Sequence, residues 1–292
     1  MTAPGGSSDA GGRVVLITGA SSGIGGATTS LLARSGFTVF GGSRRPPRDG
    51  ASEFEWIHLD VTSDESVRSC VSTVLERAGR IDFLVNNAGT AIVGAIEETP
   101  IEDAEALFET NFFGMARMVN AVLPSMRRRR SGLIVNVGSM SARVPLPFHG
   151  YMSASKAAVS SYSDALRLEL RPLGIRVTVV EPGMVATHPG AAFDSVRVGE
   201  AIEDYSSYER VATSIYEEGQ NRGSNPEVVA AAILRAIRSG NPARYYLVGG
   251  ESWLVRAAGL LPPSAVEALM ARRFRLPGPS GRRARGDTGE LG

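Results

Sequence analysis

Short apolar runs rich in valine and isoleucine alternate along the chain with stretches whose apolar residues recur at helical spacing. The apolar runs predict strands at residues 13–20, 37–42, 54–61, 81–89, 132–139, 175–183 and 243–250. The helical stretches between them lie at residues 25–36, 64–78, 102–129, 153–171 and 226–239. Strands that are apolar throughout and separated by helices are typical of a parallel sheet covered on both faces. The pattern therefore predicts an α/β fold with a single doubly wound parallel sheet of the Rossmann type.

The two ends of the chain depart from this pattern. Residues 1–12 and 277–292 are rich in glycine, proline, serine and charged residues, so we expect disordered tails on either side of one domain at 13–276. No apolar run reaches the roughly 18 residues that span a bilayer, and the N-terminus has no apolar signal-peptide region. These features predict a cytoplasmic protein without a membrane span.

Composition narrows the choice of partners and chemistry. The formal net charge of +1 gives no indication that nucleic acid is a partner. One cysteine and three widely separated histidines predict neither a disulfide framework nor a metal site. The chain has 30 arginines and one lysine, Lys156. Because an ammonium is a compact point charge and a guanidinium a planar fork, this single lysine is a candidate functional residue.

A glycine-rich segment, TGASSGIG at residues 18–25, follows the first predicted strand and opens the first predicted helix. The first glycine allows a tight turn, and the later ones let the backbone approach a pyrophosphate at the positive N-terminus of the helix. The segment therefore predicts a dinucleotide site. Its candidate cofactor-binding residues are Gly19, Ser21, Ser22, Gly23, Ile24 and Gly25.

The end of the second predicted strand bears on the phosphate state of that dinucleotide. Proteins that bind NAD usually place an acid there to hydrogen-bond the ribose 2′-hydroxyl. Here the position is Ser43, followed by Arg44 and Arg45. A small polar residue with arginines suits a 2′-phosphate, so we expect NADP(H) rather than NAD(H). The alternative is that the two arginines only occupy a solvated turn before two prolines.

Further motifs follow the glycine-rich segment along the chain. They are LDVT at 59–62, NNAG at 86–89, VNVGS at 135–139 and EPGMVAT at 181–187. Together these motifs make the chain resemble the short-chain dehydrogenase/reductase family from residue 13 to about residue 250. The part from residue 226 onward is similar to bacterial members near the hydroxysteroid and retinol dehydrogenases. The resemblance implies an oxidoreductase that transfers hydride between a nicotinamide cofactor and a ketone or alcohol.

The resemblance also implies further cofactor contacts. In the family, an aspartate at the position of Asp60 contacts the adenine, and a lysine at the position of Lys156 holds the nicotinamide ribose. The contacts implied in this way are Asp60, Val61, Asn87, Ala88, Gly89, Lys156, Pro182, Gly183 and Thr187.

The same resemblance implies a catalytic serine, tyrosine, lysine and asparagine. The serine binds the substrate carbonyl, the tyrosine transfers the proton, the lysine lowers the pKa of the tyrosine, and the asparagine positions a water. Ser139, Lys156 and Asn111 match their positions. The tyrosine belongs thirteen residues after the serine and four before the lysine, and both counts lead to Met152. A thioether has no proton to give, and the nearest tyrosine, Tyr151, lies one residue earlier.

Three explanations of Met152 stay open. In the first, Tyr151 substitutes through a local adjustment of the backbone, although one helical position is a rotation of about 100°. In the second, His149 or a water held by Ser139 and Lys156 gives the proton. For His149 we favour the simpler interpretation, a surface loop residue. In the third, the protein is a non-redox enzyme (an isomerase, cyclase or dehydratase) or a catalytically inactive partner subunit.

The resemblance also locates the substrate side. The family builds its substrate lid where this chain has residues 184–224, and it forms the opposite wall at 144–148. Residues 252–274 are apolar and partly helical, so we expect them either to close the pocket or to form a contact between subunits. The ring-bearing residues of the lid segment are His188, Phe193, Tyr205, Tyr208 and Tyr216. They suit a hydrophobic ketone or alcohol that is polyketide-, steroid- or retinoid-like. Family members commonly pair through the helices at 102–129 and 153–171, so we expect a homodimer or homotetramer.

Overall fold

The sheet is parallel and doubly wound. A computed structural model describes residues 12–47, 53–186, 202–250 and 252–277. Its strands are β1 (Val14–Thr18), β2 (Thr38–Ser43), β3 (Glu55–His58), β4 (Phe83–Asn86), β5 (Gly132–Val137), β6 (Ile175–Pro182) and β7 (Tyr245–Val248). They form a seven-stranded sheet in the order β3-β2-β1-β4-β5-β6-β7, and every neighbouring pair is parallel. The α/β fold predicted from the sequence is confirmed.

Helices connect the strands, and others follow the last strand. They are α1 (Gly23–Arg34), α2 (Asp64–Ala78), α3 (Ile101–Phe108), α4 (Gly114–Arg129), α5 (Gly150–Leu170), α6 (Glu203–Arg222), α7 (Pro226–Arg238), α8 (Ser252–Ala258) and α9 (Pro263–Arg273). A π-helical turn at Glu109–Phe113 separates α3 from α4, so the single helix predicted at 102–129 is interrupted. The segment predicted as a lid contains α6.

The core is divided between the two faces of the sheet. One face packs against α2, α4 and α5, and the other packs against α1 and α7. Side chains along β5 alternate between these cores, because Ile134 belongs to the first and Leu133 and Val135 to the second. Strands covered on both faces must be apolar throughout, which is why the sequence pattern predicted them.

The order of the strands reverses between β1 and β4. From β1 the chain builds outward through β2 to β3, and it then crosses back to place β4 on the other side of β1. In the resulting register Ile17 pairs with Val85. Ligands of open α/β sheets bind in the crevice outside the carboxyl ends of the strands at such a reversal. The loops after β1 and β4 therefore form the expected cofactor site.

Some predicted features lie outside the described residues. These are the tails, at 1–11 and 278–292, and the part of the lid at 187–201, which includes Thr187, His188 and Phe193. Among the helices of the described ranges, none is long and apolar enough to cross a membrane. The same ranges contain no group of three or more His, Cys, Asp or Glu side chains that could hold a metal ion.

Candidate active site

Hydrogen bonds join the loop after β1 to the loop after β4. The Thr18 hydroxyl accepts from the backbone N–H groups of Asn87 and Ala88, both at 3.0 Å. The side-chain amide of Asn87 donates to the carbonyl oxygens of Thr18 at 3.1 Å and Gly19 at 3.2 Å. The glycine-rich segment and the NNAG motif are thereby fixed against each other at the reversal of the strand order.

Close packing of the backbone explains why positions 19 and 25 of the glycine-rich segment are glycine. Gly19 has a φ of +69°, and a Cβ there would lie 2.9 Å from the Cα of Ala88. A Cβ on Gly25 would lie only 2.0 Å from the carbonyl oxygen of Gly19. The first turn of α1 can approach the loop this closely only because position 25 has no side chain.

The N-terminus of α1 has the properties of an anion site. Ser22 is the N-cap, its side chain makes no capping hydrogen bond, and no acidic residue occupies the first turn. A Cβ on Gly23 would meet nothing within 4 Å, so this side of the loop is open. Backbone N–H groups in the first turn of a helix lack intrahelical partners, and the helix dipole favours negative charge there. The segment thus fits the pyrophosphate of a dinucleotide.

The end of β2 presents a buried serine followed by two exposed arginines. The Ser43 hydroxyl donates to the carbonyl oxygen of Arg45 at 2.7 Å and accepts from the Trp56 indole at 2.9 Å. Ser43 is 6% exposed, whereas Arg44 and Arg45 are exposed. Because the serine hydroxyl is engaged within the protein, the arginines are the groups of this turn that are placed to bind a 2′-phosphate.

Asp60 belongs to the turn that follows β3. Its carboxylate accepts from the backbone N–H of Thr62 at 3.0 Å and from the Thr62 hydroxyl at 2.8 Å. Burial pushes the pKa of Asp60 upward, but these hydrogen bonds and the charge of Arg44 outweigh it and hold the pKa below its ordinary value. Val61 is buried, and a Cβ on Gly114 would lie 2.7 Å from its side chain. The missing side chain at Gly114 therefore lets this turn approach α4.

Lys156 lies in a buried position beside the NNAG motif. It is 6% exposed, and its ammonium donates to the carbonyl oxygen of Val137 at 3.0 Å. A Cβ on Gly89 would lie 3.7 Å from the ammonium nitrogen and 3.2 Å from the side-chain oxygen of Asn111. Burial lowers the pKa of Lys156 to about 8. Lysine has three N–H donors, and Val137 is the one acceptor found for it in the described part of the chain, so donors remain for a ligand.

Asn111 lies in the π-helical turn between α3 and α4. Its side-chain oxygen accepts from the backbone N–H of Thr90 at 2.8 Å, and its Nδ2 donates to the carbonyl oxygen of Thr90 at 3.0 Å. The same Nδ2 lies 3.2 Å from the Ser155 hydroxyl and 3.5 Å from the Met152 sulfur. Turns of this kind inside a helix are frequent at functional sites. This one ties the loop after β4 to the first turns of α5.

The register of α5 places Met152, not Tyr151, beside Asn111. α5 begins at Gly150 and is helical from that residue onward. Met152, Ser155 and Lys156 have the i, i+3 and i+4 spacing of one helix face. Tyr151 is half-buried and offset from that face by one position, a rotation of about 100°. The role of Tyr151 as a substitute proton donor stays a prediction.

Ser139 begins the turn that follows β5. Its hydroxyl oxygen accepts from the backbone N–H of Ser141 at 3.1 Å and from the Ser141 hydroxyl at 3.0 Å. A hydroxyl has two acceptor positions and one proton, so the Ser139 proton is available to donate to a substrate carbonyl oxygen. At the end of this turn, Arg143 forms an ion pair with the fully buried Glu181 of β6, which anchors the turn to the sheet.

His149 immediately precedes α5, and its ring packs against α6. The centroid of the His149 ring lies 4.6 Å from that of Tyr216. Both ring nitrogens are buried and find no hydrogen-bond partner among the described residues. The interpretation of His149 as a surface loop residue is therefore wrong, because a helix distant in sequence covers it. Burial lowers the pKa of His149 to about 4, so the imidazole is neutral at neutral pH and is a poor candidate for the missing acid.

The described part of the lid segment makes contacts on two sides. The Tyr205 hydroxyl donates to the Glu97 carboxylate at 2.8 Å, in the connection between β4 and α3. Tyr216 is 9% exposed, and its hydroxyl donates to the carbonyl oxygen of Pro147 at 2.7 Å, just before α5. Tyr208 is half-buried. These contacts join α6 both to the loop after β4 and to the segment at 144–148 that was predicted as the opposite wall.

The remaining implied cofactor contacts lie at the carboxyl end of β6. Pro182 is the last residue of the strand. The backbone N–H of Gly183 donates to the carbonyl oxygen of Val248 at 2.9 Å, which fixes the start of the next loop against β7. Thr187 lies outside the described residues.

Comparison with known proteins agrees with this geometry. The model of the short chain dehydrogenase family matches residues 13–195, which is more than half of the chain. The chain belongs to the short-chain dehydrogenase/reductase family. The resemblance inferred from the motifs is thereby confirmed, and with it the assignment to a family of nicotinamide-dependent oxidoreductases.

Similar proteins extend over most of this short-chain dehydrogenase/reductase. A 3-ketodihydrosphingosine reductase from Bacteroides thetaiotaomicron is 38% identical over 254 residues, which cover 83% of this chain and 93% of the relative. Retinol dehydrogenase 8 from Bos taurus is 36% identical over 249 residues, which cover 79% of each protein. The crystal structure of a short-chain dehydrogenase from Burkholderia cenocepacia in complex with NADP is 27% identical, with a TM-score of 0.70, and covers 89% of this chain and 98% of that one.

Three residues whose hydrogen bonds stabilise the site of this short-chain dehydrogenase/reductase were not predicted from the sequence. Thr18 binds the NNAG backbone, Thr90 binds both ends of the Asn111 amide, and Ser155 lies between Asn111 and the carbonyl oxygen of Met152. Ser155 had a usable signal, because it is one helical turn after Met152 and adjoins the lysine. The other two depend on contacts between segments far apart in the chain, for which the sequence gives no sign.

The buried lysine makes the stability of this short-chain dehydrogenase/reductase depend on pH. Its pKa is about 8 in the folded protein against an ordinary 10.5, because burial disfavours the charged form. Between these pH values the unfolded chain binds the proton and the folded chain does not, so the free energy of unfolding rises with pH. We expect Lys156 to contribute a rise of roughly 3 kcal/mol across this range.

Urea unfolding of the native protein and of Lys156→Met at a series of pH values from 8 to 10.5 measures this contribution. Both proteins share every other titrating group, so the difference between their curves isolates the lysine. The native protein should gain stability relative to the variant as the pH rises. Parallel curves would show that the lysine titrates at its ordinary pKa.

Proposed function

We propose that the protein is an NADP(H)-dependent oxidoreductase that transfers hydride between the cofactor and a hydrophobic ketone or alcohol. One observation carries the proposal. The single lysine of the chain is buried beside Gly89 and Asn111, at the edge of the sheet where the glycine-rich segment fits a dinucleotide. A lysine so placed can bind a ribose hydroxyl and can hold positive charge next to a reacting carbonyl.

NADP(H) is proposed over NAD(H) because of the turn after β2. Ser43 replaces the acid that would bind a 2′-hydroxyl, and the exposed Arg44 and Arg45 offer guanidinium groups to a 2′-phosphate. The complex of the Burkholderia protein with NADP supports the same cofactor. In this assignment the backbone from Gly19 to Gly25 would hold the pyrophosphate, and Asp60 would contact the adenine.

Five side chains have roles in the proposed chemistry, one of them as an alternative proton donor. Bound nicotinamide supplies or accepts the hydride. Ser139 donates a hydrogen bond to the carbonyl oxygen and draws negative charge onto it. Lys156, whose pKa of about 8 is close to neutral, supplies the proton to that oxygen through an intervening water or hydroxyl, and Tyr151 is the alternative donor. Asn111 fixes the loop after β4 against α5, while Met152 presents adaptable apolar surface on the same face.

A hydrophobic substrate is proposed from the surroundings of this edge. Val93 follows β4, Met184 follows β6, and both belong to an apolar cluster that includes Tyr216 and Phe274. Such a surface suits a largely hydrocarbon molecule. The relatives named for 3-ketodihydrosphingosine and retinol act on molecules of that kind. We propose that residues 184–224 act as the lid over this substrate, which is polyketide-, steroid- or retinoid-like.

A homodimer or homotetramer is proposed to form through α4 and α5. Phe113, just before α4, is 49% exposed, and Leu168 on α5 is 69% exposed. A second subunit packed on these helices would cover both large apolar side chains. The cytoplasmic location stays a prediction.

Hydride transfer by the native protein tests the proposed function. Purified protein is incubated with NADPH and a panel of apolar carbonyl compounds, such as dodecan-2-one and a steroid ketone, and both NADPH and the product alcohol are measured. We expect NADPH consumption to match alcohol formation for at least one compound. Turnover of a candidate without NADPH oxidation would favour a non-redox enzyme instead. Ligand binding without any turnover would favour a catalytically inactive subunit.

Removal of the two arginines should weaken NADP⁺ binding selectively. Charge-assisted hydrogen bonds contribute about 1.5–3 kcal/mol, so Arg44→Ser combined with Arg45→Ser should raise the Kd for NADP⁺ by roughly 10- to 100-fold. The Kd for NAD⁺, which has no 2′-phosphate, should change little. Calorimetric titration of the native protein and the double variant with NADP⁺ and with NAD⁺ measures the change in each Kd. Arg68→Ser, on the exposed surface of α2, is the matched control. Equal losses for both cofactors would contradict recognition of the 2′-phosphate by this turn.

A further inference from the structure

The ring of His149 has an unusual environment for an imidazole. It precedes α5 and packs against the ring of Tyr216 at 4.6 Å between centroids, with the two planes inclined by 41°. Both Nδ1 and Nε2 are buried, and neither has a hydrogen-bond partner within the part of the chain that the structure describes. The Tyr216 hydroxyl donates its proton to the carbonyl oxygen of Pro147 at 2.7 Å, so it has none to donate to the acceptor nitrogen of the imidazole.

The Tyr216 ring that packs against this imidazole belongs to an apolar cluster. Tyr216 packs in it with Phe274 of the C-terminal region, Leu146 and Phe148 of the segment before α5, and Met184 of the loop after β6. Since Met184 follows the cofactor-site residue Gly183 directly in the chain, the cluster extends from the cofactor edge of the sheet. Under the proposed function, this is the wall against which the hydrocarbon part of the substrate would lie.

A histidine in such a wall destabilises the fold unless its ring nitrogens have hydrogen-bond partners. A buried polar atom without a partner destabilises a fold, and here one side chain contributes two such atoms. Phenylalanine would make the same contact with Tyr216 without that cost. The imidazole is neutral, because burial lowers the pKa of His149 to about 4. A neutral imidazole offers one donor and one acceptor, which is the pattern that complements a hydroxyl group.

We propose that His149 binds a neutral hydroxyl group of the substrate, separate from the carbonyl that is reduced. The inference rests on the proposed function and narrows its substrate class to hydrophobic hydroxyketones and the corresponding diols. His149 is the N-cap of α5, three residues before Met152, and three residues along a helix axis rise about 4.5 Å. The hydroxyl that it binds therefore lies within a few carbon atoms of the reacting carbonyl.

Binding of matched probes tests the assignment. Dodecan-2-one and its analogues with one hydroxyl on carbon 1, 3, 4 or 8 are titrated calorimetrically into the full chain saturated with NADP⁺. We expect at least one hydroxylated probe to bind about 3- to 10-fold more tightly than dodecan-2-one, the ratio produced by one or two neutral hydrogen bonds. His149→Phe should abolish that ratio and leave the affinity for dodecan-2-one within about twofold. His149→Asn, which again offers a donor and an acceptor, should restore part of it.

A second measurement does not depend on any variant. With ¹⁵N-labelled histidine, the imidazole ¹⁵N signals of His149 should shift when the preferred hydroxylated probe binds and should shift much less with dodecan-2-one. Equal affinity of the native protein for all the probes, or a preference that survives in a folded His149→Phe, would overturn the inference while leaving the proposed function intact. If none of the probes binds to the protein with NADP⁺, the hydrophobic-ketone function itself fails and the inference fails with it.

Discussion

Replacement of Met152 by tyrosine is expected to raise the rate of NADPH-dependent ketone reduction by about 10²- to 10⁴-fold, the usual contribution of a positioned general acid. The methionine sulfur lies 3.5 Å from the Asn111 amide nitrogen, on the helix face that also carries Ser155 and Lys156. A tyrosine in this place would put a phenol beside the single lysine. The variant therefore adds a proton donor to a site that keeps its other parts.

The neighbouring charge is the reason why a phenol at this position should be effective. An unperturbed tyrosine has a pKa near 10, about three units above neutral pH. An ammonium within about 4–6 Å favours the phenolate and lowers that pKa. Because the pKa of Lys156 is itself lowered to about 8 by burial, the two groups would titrate as a coupled pair. The rate of Met152→Tyr should consequently rise with pH for alcohol oxidation, where the phenolate acts as the base.

Met152→Phe is the matched control, since it adds the same ring without the hydroxyl. We expect it to remain at the rate of the native protein, and we expect all three proteins to bind NADPH with similar affinity. Steady-state rates with dodecan-2-one, measured beside NADPH titrations, distinguish a gain in chemistry from a gain in binding. If the native protein reduces dodecan-2-one and Met152→Tyr is no faster than Met152→Phe, the native protein already has an adequate proton source, and Lys156→Met and Tyr151→Phe then decide between the two proposed donors.

The position of the methionine could be predicted from the sequence because two independent counts, from Ser139 and from Lys156, meet there. Such counts succeed where a loop keeps its length and a helix keeps its period. The sheet could also be predicted from the sequence, because strands buried on both faces must be apolar along their whole length. The dinucleotide segment was also predictable, because its glycines follow from a tight turn and a close approach of backbone to backbone.

What the sequence could not predict depends on contacts between distant segments. The His149 imidazole packs against Tyr216 of α6, which lies far along the chain, and Tyr216 packs in turn with Phe274 of the C-terminal region. The π-helical turn at Asn111 interrupts a segment whose apolar spacing is that of an ordinary helix. Thr90 engages the Asn111 amide from a loop whose sequence has no feature typical of this contact. In each case the local pattern is ordinary and the tertiary neighbour determines the outcome.

Gly25→Ala is expected to raise the Kd for NADPH by about 100-fold or more and to destabilise the fold by roughly 1–3 kcal/mol, the typical cost of an added methyl group in a closely packed place. The new Cβ would lie 2.0 Å from the carbonyl oxygen of Gly19 and 2.6 Å from the side-chain nitrogen of Asn87. Both contacts involve the network that fixes the loop after β1 to the loop after β4. The loop has to move, and the backbone N–H groups that would face the pyrophosphate move with it.

Gly26→Ala, one residue further along α1, is the matched control for this change. A Cβ there meets nothing closer than the carbonyl oxygen of Ala20 at 3.7 Å, which is ordinary van der Waals contact. Because alanine favours a helix over glycine by up to about 1 kcal/mol, the control should be as stable as the native protein or slightly more stable. NADPH titration and thermal unfolding of both variants measure the two effects. If both alanines bound NADPH as the native protein does, position 25 would not be the point where the helix closes on the loop. A loss confined to Gly25→Ala would instead tie cofactor binding to the contact between Gly19 and the first turn of α1, because the two substitutions add the same methyl group to neighbouring residues of one helix.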